Sequence, residues 1–151
     1  MNDSFVVSVN ISEQKSTRKH PVQGSVTITV LGMEGDAHAG DWHRQLSLLA
    51  QESIDKMQGH GLELQPGDFA ENITTQGLDL LTLPVGTRLQ IGAAVTVEVT
   101  QIGKECHLGC EIRKLVGDCV MPREGIFAHV VTSGTIQAGD IITIISKGGT
   151  R

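Results

Sequence analysis

Val95-Thr96-Val97-Glu98-Val99-Thr100 alternates apolar and polar residues without a break, and the same period of two returns in short runs along the chain. A helix repeats every 3.6 residues and would scatter such a pattern around its surface. A strand places it on one face, so the chain is built to bury one side of a sheet. The runs are Phe5 to Ile11, with Val7, Val9 and Ile11 expected to face inward, and Ser25 to Leu31, with Val26, Ile28 and Val30. Further runs are Arg44 to Leu49, Phe69 to Thr74, Arg88 to Ile91, Val95 to Ile102, Ile126 to Val131 and Ile141 to Ile145. Turn signals separate them at Pro66-Gly67-Asp68, Pro84-Val85-Gly86, Gly92-Ala93, Ser133-Gly134 and Gly139-Asp140. Gln51 to Gln58 is the better helix, with Ile54 and Met57 at helical spacing and Gly59 beyond its end, and Cys110 to Val116 reads as a second short one. About eight short strands at regular spacing predict a mainly β chain, closed into a barrel or stacked as a sandwich.

The 151 residues suit one domain, and no composition break marks a second. Aromatic residues make up only 3%, so Val, Ile and Leu must fill the core. The net charge of −5 argues against nonspecific nucleic-acid binding, which needs many cations to displace counterions. No apolar run reaches the roughly 20 residues of a membrane span. Met1-Asn2-Asp3-Ser4 lacks the basic start of a secretory signal. Three cysteines cannot all pair within one chain. Together these features lead us to expect a cytoplasmic protein with reactive or metal-binding thiols.

Chemistry concentrates in Gly103-Lys104-Glu105-Cys106-His107-Leu108-Gly109-Cys110 and its continuation to Cys119. Cys106 stands between Lys104 and His107, cations that favour the thiolate, the form that attacks sulfur and binds metal. Cys110 is spaced to act as a resolving thiol. The bland alternative for any of the three is a small buried hydrophobe. A zinc site from Cys106, His107, Cys110 and Cys119 is a further reading, although no paired C-x2-C knuckle supports it. A Gly-rich stretch, Gly35-Asp36-Ala37-His38, then supplies Asp36 and His38, followed by His43 and Arg44. It has the makeup of a site rim, or of an ordinary turn with solvated histidines. Glu71-Asn72 offers an acceptor and an amide to a ligand or to another loop. Arg123 is placed to grip a phosphate or carboxylate, or to pair with Glu124 or Glu105. The basic stretch from Glu13 to His20 reads as an exposed loop. Phosphate-loop, dinucleotide, serine-hydrolase and zincin signatures are absent.

In order along the chain, several segments resemble the MOSC domain, the C-terminal domain of molybdenum cofactor sulfurases, which also occurs as small standalone proteins. They are Gly35-Asp36-Ala37-His38, Arg44-Gln45-Leu46-Ser47-Leu48-Leu49, Pro66-Gly67-Asp68 through Glu71-Asn72-Ile73, Val85-Gly86-Thr87-Arg88-Leu89, Cys106, and Gly125 before the last hairpin. The resemblance covers about residues 25 to 146. It implies a closed β-barrel and a link to the molybdenum cofactor (molybdopterin). It also implies a reactive cysteine, Cys106, that carries sulfur as a persulfide or binds molybdenum directly. Asp36, His38 and Arg44 would line the pocket for an anionic pterin phosphate, with Glu71, Asn72, Lys104 and Arg123 as further cofactor-binding positions. The partners implied are a cysteine desulfurase or other sulfur donor and a molybdoenzyme or cofactor-biosynthesis protein. No pyridoxal phosphate site is expected in this chain. Two positions depart from the family pattern: Glu105 stands where many members have Pro, and Ala70 where the family has Gly before Glu-Asn.

Overall fold

A computed structural model describes residues 4–13, 19–57, 65–103 and 125–147. Its first strand, β1 (Ser4–Ile11), shows how the sequence pattern is bent to fit a barrel. Val6 and Val9 enter the core, whereas Val7, expected inward, stays half-exposed. The cause is an irregularity between Val6 and Ser8 in the pairing with β6. An extra residue there switches which face the chain presents and tightens the local twist.

After β2 (His20–Pro21) come β3 (Val26–Thr29) and β4 (Gly32–Met33), then β5 (Leu46–Ala50) and α1 (Gln51–Met57). The chain continues through β6 (Ile73–Gln76), a single 3-10 turn at Leu80–Thr82, β7 (Arg88–Ile91) and β8 (Val95–Ile102). It closes with β9 (Ile126–Thr132), β10 (Gly134–Ile136) and β11 (Ile141–Ser146). Hydrogen bonding runs β11-β7-β8-β9-β5-β6-β1, and β11 pairs back with β1, so seven strands close into a barrel. Ser4 lies opposite Ile142 and Phe5 opposite Ile141 at that seam. β2 extends the far end of β1. A separate sheet, β10-β3-β4, folds over β8 and β9.

Every barrel pair is antiparallel except β5 and β6. A parallel pair needs a crossover, and α1 belongs to that connection, packing on β5 and β6. β5 is buried on both faces as a result. Leu46, Leu48 and Ala50 join the core, and Leu49 is equally buried on the other side. Leu89, Ile91, Val95, Val97, Val99, Ile126 and Ala128 complete the aliphatic interior, as the scarcity of aromatic residues requires. Among the described residues no helix is long and apolar enough to cross a membrane.

Three local expectations give way. Val30 is exposed, because β3 ends at Thr29 and the chain turns there. The strand after Asp68 starts at Ile73, since residues 66–69 form a turn, closed by the Ala70 N–H to Gly67 O bond. Gly134 opens a strand on β3 instead of serving only as a turn. The helix expected over Cys110 to Val116 lies outside the described residues.

Candidate functional site

Asp36 is nearly inaccessible, and its side chain collects three elements. Oδ1 accepts from the Lys19 ammonium at 2.8 Å and from the Ser12 backbone N–H at 3.0 Å, while Oδ2 accepts the His38 N–H at 3.0 Å. Burial alone would raise the Asp36 carboxyl. The neighbouring His38, the Lys19 ammonium through its charge and hydrogen bond, and the Ser12 amide outweigh it and hold the group well below the ordinary carboxylate range. Lys19 is itself 1% exposed, which corrects the expectation that Glu13 to His20 is an exposed loop throughout. A buried lysine persists only where its charge is paired, and Asp36 supplies the pair.

Lys19 reaches inward because its backbone is clamped: its N–H donates to Gly67 O at 2.8 Å. Gly67 has φ +92°, and a Cβ there would meet the Lys19 carbonyl oxygen at 2.4 Å. Only glycine allows that approach. The Lys19 ammonium also touches His38 Nδ1 at 3.1 Å.

From His38 the loop runs outward over the barrel. Trp42 Nε1 donates to His38 O at 2.7 Å, and the two rings stack at 6.4 Å with 6° between planes. The Arg44 guanidinium lies 4.9 Å from the Trp42 ring centre and 5.6 Å from that of Phe127, within cation–π range of both. Its Nε is buried and has no hydrogen-bond partner among the described residues. His43 Nε2 meets Gln101 Oε1 at 2.9 Å, the Thr100 hydroxyl donates to His43 O, and Gln101 Nε2 donates to Gly103 O at 2.7 Å. Gln45 fixes the base of the loop, donating to Val30 O and Gly40 O and accepting from the Val130 N–H. The loop is therefore docked on the ends of β8 and β9, where Ile102 pairs with Ile126 and Gly103 N–H donates to Gly125 O. Residues 104–124 leave and return through that stem. Cys106, Lys104 and Arg123, with His107, Cys110 and Cys119, lie outside the described residues.

Glu71 and Asn72 are brought to the same end of β1, fully buried, and bonded to protein groups. Asn72 Oδ1 accepts the Ser47 N–H at 3.0 Å and its Nδ2 donates to Asn10 O at 3.3 Å, joining β5 to β1. Glu71 Oε2 accepts from Gly67 N–H at 2.9 Å and from the Thr74 hydroxyl at 2.7 Å. Burial pushes the Glu71 carboxyl up to about 6 against those hydrogen bonds, and its Oε1 has no partner among the described residues. Gly67 thus holds Lys19 through its carbonyl and Glu71 through its N–H.

Lys19 is the residue that the sequence did not single out. A lone Lys in a polar run carries no local sign of burial, and only the Pro-Gly turn far along the chain hints at a close backbone approach. Among the described residues no group of three or more His, Cys, Asp or Glu is arranged to hold a metal. A cleft of about 670 Å³ lies between α1 and the Gly77–Leu81 segment, and none of the expected site residues lines it.

A mainly β barrel closed on itself, with a Gly-Asp-x-His loop docked on the ends of β8 and β9, defines the class. The MOSC domain family matches residues 34–143, and the chain belongs to that family, which is associated with molybdenum cofactor binding and sulfur handling. No curated protein matches the chain. The YuaD protein from Bacillus subtilis has the same fold at 18% identity, with a TM-score of 0.77 over 93% of this chain and 94% of that one. YiiM from Geobacillus stearothermophilus matches at 20% identity and TM-score 0.73, over 97% of this chain and 77% of its own. YiiM from Escherichia coli matches at 21% and 0.67, over 94% and 70%.

Proposed function

We propose that this MOSC domain carries sulfane sulfur as a persulfide on Cys106 and works beside a bound molybdenum cofactor. The carrying observation is the buried Nε of Arg44, which has no hydrogen-bond partner among the described residues and is held between Trp42 and Phe127 near the Gly103–Gly125 pairing. A donor fixed without an acceptor is suited to an incoming anionic oxygen, which gains a charge-assisted bond. Phosphate and pterin oxygens have that chemistry, so the residues present fit the group. Arg44 and His38 would hold it, with Lys104 and Arg123 from the excursion. When bound, the cofactor supplies the metal centre that accepts sulfur.

Cys106 follows Gly103 by three residues, and three residues of chain span at most about 11 Å. Its thiolate attacks the terminal sulfur of a donor persulfide, such as that of a cysteine desulfurase. The donor's S–S bond breaks, a new S–S bond forms on Cys106, and the donor leaves as a thiolate. Lys104 and His107 favour the attacking anion.

Anaerobic purification from a host that makes molybdenum cofactor tests the cofactor half of this reading. The expected result is near-stoichiometric pterin with molybdenum, lost in Arg44→Ala. Zinc without pterin would favour the structural zinc site of the cysteine cluster and overturn it. Bound cofactor that persists while Cys106→Ser has no effect on sulfur delivery would reduce the protein to a storage module.

A further inference from the structure

We infer that Lys19 is a positioning residue that commits His38 to one neutral tautomer, with its proton on Nε2. The functional end of this inference, donation to an anionic ligand, rests on the reading above; the tautomer itself does not.

An ammonium has three donors and no acceptor. Its 3.1 Å contact with His38 Nδ1 is therefore a hydrogen bond only if Nδ1 keeps its lone pair, which leaves the ring's proton on Nε2. The competing arrangement puts the proton on Nδ1, aimed at Asp36 Oδ2. That distance is 3.6 Å, too long for a good hydrogen bond, and Oδ2 already accepts the His38 backbone N–H at 3.0 Å. Lys19 cannot swing away, because Asp36 Oδ1 holds the ammonium at 2.8 Å and Gly67 holds its backbone. Trp42 stacks on the imidazole and fixes the ring plane.

The consequence is selectivity. A histidine that ligates a metal through Nε2 ordinarily donates its Nδ1–H to a carboxylate or carbonyl. Here Nδ1 faces a cation, so that route is closed and the ring is left as a donor. The group it serves is an oxyanion oxygen, the same chemistry for which Arg44 is placed.

Ring nitrogen NMR of selectively labelled protein reads the tautomer directly. The wild type is expected to show an unprotonated Nδ1 and a protonated Nε2, unmoved by added zinc. Lys19→Met removes the donor, and the two nitrogen signals should exchange character as Nδ1–H turns to Asp36. Lys19→Gln keeps an N–H donor and should restore the wild-type pattern. A protonated Nδ1 in the wild type, or an unchanged pattern in Lys19→Met, overturns the inference. Should Lys19→Met fail to fold, coupling across the Lys19–His38 hydrogen bond in the wild type decides, its absence being contrary. Molybdate added to the wild type should shift the Nε2–H signal. A correct tautomer that ignores molybdate would count against the anion-binding reading and leave the Lys19 assignment standing.

Discussion

Glu71 has no exposed surface, and its Oε1 has no hydrogen-bond partner among the described residues, so burial disfavours its charged form in the folded state. Its carboxyl rises from 4.5 to about 6 on folding. The folded protein therefore binds a proton more tightly than the unfolded chain, and stability falls as pH rises from 4.5 through about 6, by about 2 kcal/mol. Asp36 has the opposite sign: its stabilisation is present above its ordinary value of 3.8 and lost as pH falls towards its lowered one. Urea melts of the wild type should thus show stability rising towards mild acid before acid unfolding begins. Glu71→Gln should flatten the stretch from about pH 4.5 to 7, and an unchanged slope would contradict the assignment. Ala70, beside Glu71, sits at φ 66°, where a Cβ is strained. Ala70→Gly relieves that strain but adds unfolded-state freedom, for a net gain of about 1 kcal/mol, read as a higher denaturation midpoint.

Elements were legible where one face of a regular strand meets the core. Arg88 to Ile91 and Val95 to Ile102 stand as read, because uninterrupted alternation puts Leu89, Val95, Val97 and Val99 on the buried face. The reading fails where tertiary geometry overrides the pattern. The shift between Val6 and Ser8 changes which valine enters, and nothing local announces it. β10 is only three residues long and exists because β3 offers an edge. In the site, Asp36, His38 and Arg44 were visible as a Gly-rich run with charges, whereas Lys19 needed a partner distant in sequence. Glu71 and Asn72 carry no local sign that they are buried and bonded to Gly67, Thr74, Ser47 and Asn10, because buried hydrogen-bonding residues and binding residues share one alphabet. Gln45 shows how elements hold the loop: one amide joins the Val30 and Gly40 carbonyls to the Val130 N–H of β9. Gln45→Leu leaves those groups unpaired and should cost about 3 kcal/mol. Hydrogen exchange at Val130 should accelerate; unchanged exchange would show that the amide is not what holds the loop.

At the scale of the molecule, the connections of the barrel also build the site. The connection that makes β5 and β6 parallel ends in the Gly67–Asn72 turn, which fixes Lys19 and Glu71. β5 begins two residues after Arg44, and the ends of β8 and β9 receive the Arg44 loop. A polar corner of paired charges is thereby built on a rigid aliphatic barrel, which keeps its donors in place without a ligand. The proposed role of Cys106, three residues beyond Gly103 in the sequence, is to carry sulfur. Its direct measurement is mass spectrometry of the intact protein after incubation with a cysteine desulfurase and cysteine, with persulfide-specific alkylation. The account predicts one added sulfur atom on Cys106 in the wild type and none in Cys106→Ser with the fold intact. Labelling retained in Cys106→Ser, or absent from the wild type, would contradict it.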